Sequence, residues 1–305
     1  MVSPFGLNAS ATPCWSQPIV GMAYWLDNSR HPTTVKSGGT LAVQVSAPVG
    51  AHTVHVSAIT RFGSCATSSV SISVVPNPLS SVPSTAVVVN AIQALSGWQA
   101  AYDAETGSGT ATGVMQIVSS PSLSRKARSF VTSYTNSAGE RYHVVFGTDT
   151  TVTNFLYDTW IRLASPSDDI ANLEFDMNQV LDNGDTVIFG VQCDGYSNTW
   201  DYTTNAGTPG SYVDQWVHST APCNPHAWTT DAWHHVQMTY SRDGDGNVTY
   251  KSVWLDGVQQ DLNATVPSAF TLGWASVLLT NFQVDGLGGY GSMTTYLDNL
   301  TVYRW

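Results

Sequence analysis

The stretch NLEFDMNQVLDNGDTVIFGVQCD, Asn172–Asp194, reads as two alternating runs around Asp182-Asn183-Gly184. A three-residue hairpin loop with Gly in the left-handed position joins two antiparallel strands. That loop sets Met177 against Phe189, Phe175 against Val191 and Leu173 against Cys193, all apolar. A two-residue Asn-Gly turn would slip the register by one and put Phe189 and Val191 among carboxylates, so the three-residue loop is preferred. The other face then pairs Glu174 with Gln192 and Asp176 with Gly190. Asp194 falls diagonal to Glu174, about 5–8 Å away by cross-strand geometry. Gly190 leaves open backbone beside Asp176, where a ligand could approach closely.

The same grammar runs through the chain. Val, Ile, Thr and aromatic runs alternate with polar residues and end in Gly, Pro, Asn or Asp clusters, as in TLAVQVSA, HTVHVSAIT, RYHVVFG, HHVQMTY and VTYKSVWLDG. The fold class is all-β. The one helical candidate is short, around Ala91–Leu95. Residues 1–77 hold about seven short strands, the rhythm of an immunoglobulin-like (Ig-like) β-sandwich. Residues 78–85 lie in a Pro/Ser-rich stretch, a stiff linker. Residues 86–305 suit a large jelly roll of two packed sheets.

Composition narrows the function. Of 305 residues only 11% are charged, 11 basic against 22 acidic, while Ser and Thr number 34 each. Polarity therefore comes from hydroxyls and amides. No nucleic acid is expected as a partner, because binding it needs Lys and Arg. No membrane span is expected, because no apolar run is long enough. Residues 1–78 carry Arg30, Lys36 and Arg61 against Asp27 alone, so the acid is concentrated in the second part. The four cysteines fall two and two, which predicts the disulfides Cys14–Cys65 and Cys193–Cys223 and a secreted or cell-surface location. MVSPFGLNAS has neither a basic nor an apolar leader region, so we expect a leader removed ahead of it and Met1 in its place.

Alternation assigns further outward side chains. Phe155, Tyr157, Ile161, Val236, Met238, Tyr240, Val253 and Leu255 take the core. Trp160, Arg162, His235, Gln237 and Trp254 take the polar face. One sheet is expected to present these together with Glu174, Asp176, Gln192 and Asp194. An exposed Trp calls for a stacking partner. Sugar rings offer one, and carboxylates and amides take paired hydroxyls. Asn178 and Trp200 join the candidate binding residues.

The segment WTTDAWHHVQMTYSRDGDGNVTYKSVWLDGVQQ, 228–260, and the tail YLDNLTVYRW, 296–305, resemble laminin-G/concanavalin A-like domains. GMAYWLDN and GTLAVQVSAPVGAHTVHVSAITRFG resemble bacterial Ig-like repeats. The pairing implies the fold of secreted bacterial proteins with an Ig-like domain ahead of a concanavalin A-like jelly roll. The Trp- and carboxamide-rich face then predicts carbohydrate binding on the concave sheet, with a neutral, β-glucan-like polysaccharide or surface glycan as partner. Glu174-Phe175-Asp176-Met177-Asn178-Gln179 is similar to the E-x-D strand of the retaining glycosidases of that fold. The resemblance makes Glu174 a nucleophile and Asp176 its helper. Asn178 or Gln179 stands where the acid belongs, and an amide cannot protonate a leaving oxygen. A glycoside hydrolase (endo-β-glucanase-like) would need a nonstandard acid such as Asp194 or His235. A structural or adhesive surface protein is the third alternative. No cofactor is expected. Asp243 and Asp245 in RDGDGN are outside candidates for a structural calcium, although a hairpin turn explains them more simply.

Overall fold

The computed structural model describes residues 2–14, 16–29, 32, 34–103, 108–208 and 211–305; Met1 and Arg30, invoked above, lie outside these. The chain divides into two compact units, Met1–Ser80 with Gly257–Gln259, and Ser81–Asp256 with Gln260–Trp305.

The first unit contains β1 (Phe5–Ser10), β2 (Gly21–Leu26), β3 (Thr34–Ser37), β4 (Thr40–Val45), β5 (Gly50–Thr60) and β6 (Gly63–Val74). Among the described residues six strands stand where about seven are expected. β1 pairs with β4, and β3-β2-β5-β6 form a four-stranded sheet. A small core gathers Met22, Tyr24, Leu41 and Val45. Cys14 and Cys65 are bonded. A bridge across so long a loop restricts the unfolded chain and compensates for a small core.

The second unit begins with β7 (Val87–Val89), β8 (Gln99–Asp103), β9 (Ala111–Val118), β10 (Ala127–Thr135), β11 (Gly139–Gly147) and β12 (Asn154–Leu163). It continues through β13 (Ile170–Val180), β14 (Thr186–Asp194), β15 (Thr199–Asn205), β16 (Asp214–Pro222), β17 (Trp233–Arg242) and β18 (Asn247–Leu255). It closes with β19 (Val258–Pro267), β20 (Ala269–Phe270), β21 (Leu278–Gly286) and β22 (Tyr290–Arg304). The helical candidate is a single 3₁₀ turn, Ile92–Ala94.

Two eight-stranded sheets make the sandwich. One runs β19-β18-β17-β12-β22-β10-β9 with β7 beside β22; the other runs β16-β15-β14-β13-β21-β11-β8 with β20 beside β14. Their inner faces meet in an aromatic core. Phe155 of the first sheet lies 5.1 Å from Phe189 of the second, and Phe189 stacks on Tyr240 at 5.0 Å. Phe130 packs on Phe282 at 5.2 Å. Each such ring buries a large apolar area, so this layer dominates the stability of the unit. The expected register holds: Leu173, Phe175 and Met177 pair with Cys193, Val191 and Phe189. Cys193 is bonded to Cys223 at the edge of this core. Among the described residues no helix is long and apolar enough to cross a membrane.

Candidate functional site

The outward face of the β13 sheet is polar in rows, because antiparallel strands in register set their outward side chains directly side by side. In the central row Glu174 lies between Gln192 of β14 and Gln283 of β21. The row continues to Arg141 on one side, and to Asp201 and then His218 on the other. In the next row Asp176 lies between Gly190 and Asn281. A third row brings Asn172 opposite Asp194, with Asp285 and Asp103 each opposite Gly139.

A groove of about 850 Å³ lies over these rows. Its floor includes Glu174, Asp176, Asn178, Gln192, Asn281, Gln283 and Asp285. Tyr196, Tyr212, Trp216 and Trp274 also line it, with Asp103, Asp214 and Arg141. Trp274 is 40% exposed, an amphipathic ring left facing water.

The floor is crowded with acceptors. Burial pushes the Glu174 carboxyl well above its ordinary range, and the neighbouring Asp176 charge pushes it further. Burial also raises Asp176. Asp285 is pushed up to about 7, chiefly by burial, although Gln283 donates to it at 3.1 Å. Asp176 Oδ1 and Asn178 Oδ1 are buried and accept no hydrogen bond. Such atoms are uncommon in folded proteins and carry a desolvation penalty until something donates to them.

Gly190 has a different role from the one expected. A Cβ there would come within 2.7 Å of Thr203 Cγ2 and 2.9 Å of Asp176 Oδ1. The missing side chain makes room for Thr203 and for Asp176 itself.

Of the sequence candidates, Glu174, Asp176, Asn178 and Gln192 meet in the groove. The single face expected for the rest is corrected. Trp160, Arg162, His235, Gln237 and Trp254 belong to β12, β17 and β18, in the other sheet. Alternation sorts residues by face but does not say which sheet a strand joins. There His235 Nε2 meets Asp158 Oδ1 at 2.8 Å, Gln237 donates to Asp158 Oδ2, and Trp160 stacks on His235 at 4.4 Å. Arg162 is bound by Asp231 at 2.6 Å. Trp254 is buried, and Trp200, wholly buried opposite Cys193, belongs to the core rather than to a binding face.

Asp194 stays at the end of its face, where its carboxylate accepts from the N–H groups of Tyr196 and Ser197 and caps the following turn. It is therefore occupied as a turn acceptor and is not among the groove-lining residues. Gln179, the other amide at the acid position, donates to Asp149 and Val152 carbonyls and accepts from Arg242. The calcium candidates close a hairpin: Asp243 accepts from the N–H groups of Asp245 and Asn247 and from the Asn247 side chain. Among the described residues one group, Asp194, Asp201 and His218, sets three metal-ligating atoms within 4.8 Å of one another. Asp201 there accepts from Thr199 at 2.6 Å and meets His218 Nδ1 at 2.8 Å.

Sequence reasoning missed Asn281, Gln283 and Asp285. Their signal was present: in TNFQVDG they alternate with Phe282 and Val284. Trp274 and Asp103 come from a loop and an edge strand where no local pattern marks them, whereas Arg141 alternates with buried Tyr142 and Val144.

No protein-family model matches the sequence, and no curated protein does. Solved structures do resemble the chain. A structure described as a carbohydrate-binding module of the β-sandwich superfamily is 12% identical, with TM-score 0.35, over 98% of this chain and 92% of its own. Lectin II from Ulex europaeus is 13% identical, TM-score 0.37, over 72% and 97%. The cellulose-induced protein Cip1 is 13% identical, TM-score 0.39, over 68% and 90%. At such identity and scores these structures lend the groove no residue-by-residue correspondence.

Proposed function

We propose that this is a secreted carbohydrate-binding protein whose groove takes a polysaccharide free of acidic groups, with a neutral β-glucan-like chain as the first candidate. One observation carries the reading. A row of carboxamides and carboxyls, Gln283, Glu174 and Gln192, lies beneath half-open aromatic side chains in a groove of about 850 Å³. Vicinal sugar hydroxyls are donors and acceptors at once, and planar amide and carboxyl groups match them in pairs. The flat C–H faces of sugar rings fit the exposed face of Trp274. The volume is within the ordinary range for ligand sites. The acidic lining disfavours a polyanion. On this reading the first unit is an Ig-like spacer.

Titration of the whole chain with cello-oligosaccharides tests the proposal. Binding is expected, and Gln283→Ala and Trp274→Ala should each weaken it about tenfold. Absence of binding to any neutral glycan would leave the structural or adhesive reading.

A glycoside hydrolase is the second reading, and Glu174 beside Asp176 on the groove floor favours it. Asp285, held near 7, replaces Asp194 and His235 as the carboxyl suited to donate a proton. Release of reducing ends that Glu174→Gln abolishes would establish hydrolysis.

A further inference from the structure

The groove is short of positive charge and of donors. Asp103, Glu174, Asp176, Asp214 and Asp285 line it, and Arg141 is the only basic side chain among the described lining residues. Both of its unsatisfied buried side-chain atoms, Asp176 Oδ1 and Asn178 Oδ1, are acceptors. Asp176 is 6% exposed. A hydroxyl brings one donor and no positive charge that would favour the ionised form of the buried acids. An ammonium brings three donors, no acceptor and a full positive charge. Charge-assisted hydrogen bonds to carboxylates are roughly twice as strong as neutral ones. A bare cation would answer the charge and ignore the aromatic lining, whose Trp216, Trp274 and Tyr212 suit flat rings.

We propose that the groove prefers an amino sugar with its amine free: a β-linked glucosamine chain, with one ammonium set against Asp176 and another, two rows along the floor, against Asp285. The inference rests on the polysaccharide reading above and narrows it. An N-acetylated chain lacks the charge and adds bulk, so it belongs with the neutral glucans. A lysine-rich peptide carries the same ammonium but offers no rings to the aromatic lining.

Calorimetric titration of the full chain compares four probes of matched length: cello-, chitin- and chitosan oligosaccharides, and oligolysine. The chitosan oligomer is expected to bind about tenfold or more tighter than the cello-oligomer, since hydrogen bonds to charged groups gain about that much. The advantage should shrink as salt is added. Asp176→Asn should bring the chitosan-to-cello ratio close to one. Asp285→Asn is the second variant, should the first fail to fold. If the cello-oligomer binds and the chitosan oligomer binds no tighter, the inference is overturned while the polysaccharide reading survives. If oligolysine matches chitosan, the groove reads charge alone and the amino-sugar assignment falls. If no probe binds, both fail.

Discussion

The two sheets of the second unit hold the same residue types in opposite states. On the β12 sheet Asp158 has His235 and Gln237, and Arg162 has Asp231. Asp298, with no exposed surface, accepts from Ser122, Ser124, Gln93 and three backbone N–H groups. Burial alone would raise its carboxyl, but the Ser124 and Ser122 hydrogen bonds hold it below its ordinary range. On the β13 sheet Asp285 is also buried, and there burial prevails over the hydrogen bond from Gln283 and the carboxyl rises to about 7. Glu174 and Asp176 rise with it. Trp, His and carboxylates on a face do not by themselves mark a site. Acids left without enough donors do, because a folded protein tolerates that state where something outside it is to be bound.

The largest expected effect tests whether the groove floor is as tightly built as the geometry requires. Gly190→Val forces a side chain against Thr203 and Asp176 and should cost about 3 kcal/mol of stability, measured by urea unfolding, with loss of glycan binding. On the opposite sheet, His235→Ala leaves Asp158 buried with one donor fewer. A loss of about 2 kcal/mol is expected, with glycan affinity unchanged, which separates a structural polar cluster from a binding one.

Next comes a pair of tryptophans. Trp274→Ala should weaken glycan binding about tenfold in the calorimeter, while Trp160→Ala should leave it unchanged. Equal losses would erase the distinction between the sheets.

The smallest effect is in pH. The Asp285 carboxyl titrates near 7 in the fold against an ordinary 3.8. Between those values the folded chain holds a proton that the unfolded chain has released, so stability falls as pH rises through that window and levels off above it. Asp285→Asn removes that share. The variant should be more stable than the parent above neutrality, and its thermal stability should vary less with pH. A parent whose stability rises across the window would contradict the assignment.

Much of the fold was legible because alternation is a local property. Leu173, Phe175 and Met177 could be matched to Cys193, Val191 and Phe189 from sequence alone, since the wrong register buries carboxylates. The site was legible only along that hairpin. Nothing in TWIR or HHVQ states which sheet those strands will join, so Trp160 and His235 were grouped with Glu174 from the opposite side of the sandwich. Trp200 could have been corrected: it pairs with Cys193, already assigned to the core. Arg141 reaches the groove through a pairing with Gln283 across more than a hundred residues of sequence, and Asp103 follows by pairing with the strand that carries Arg141, which no local rule supplies.

Hydrogen exchange of the intact chain, with and without a saturating cello-oligosaccharide, tests the central claim most directly. Binding in the groove predicts slowed exchange in β13, β21 and the loop carrying Trp274, with β12 and β17 unchanged. Slowing confined to β12 and β17 would place the site on the other sheet and contradict the account.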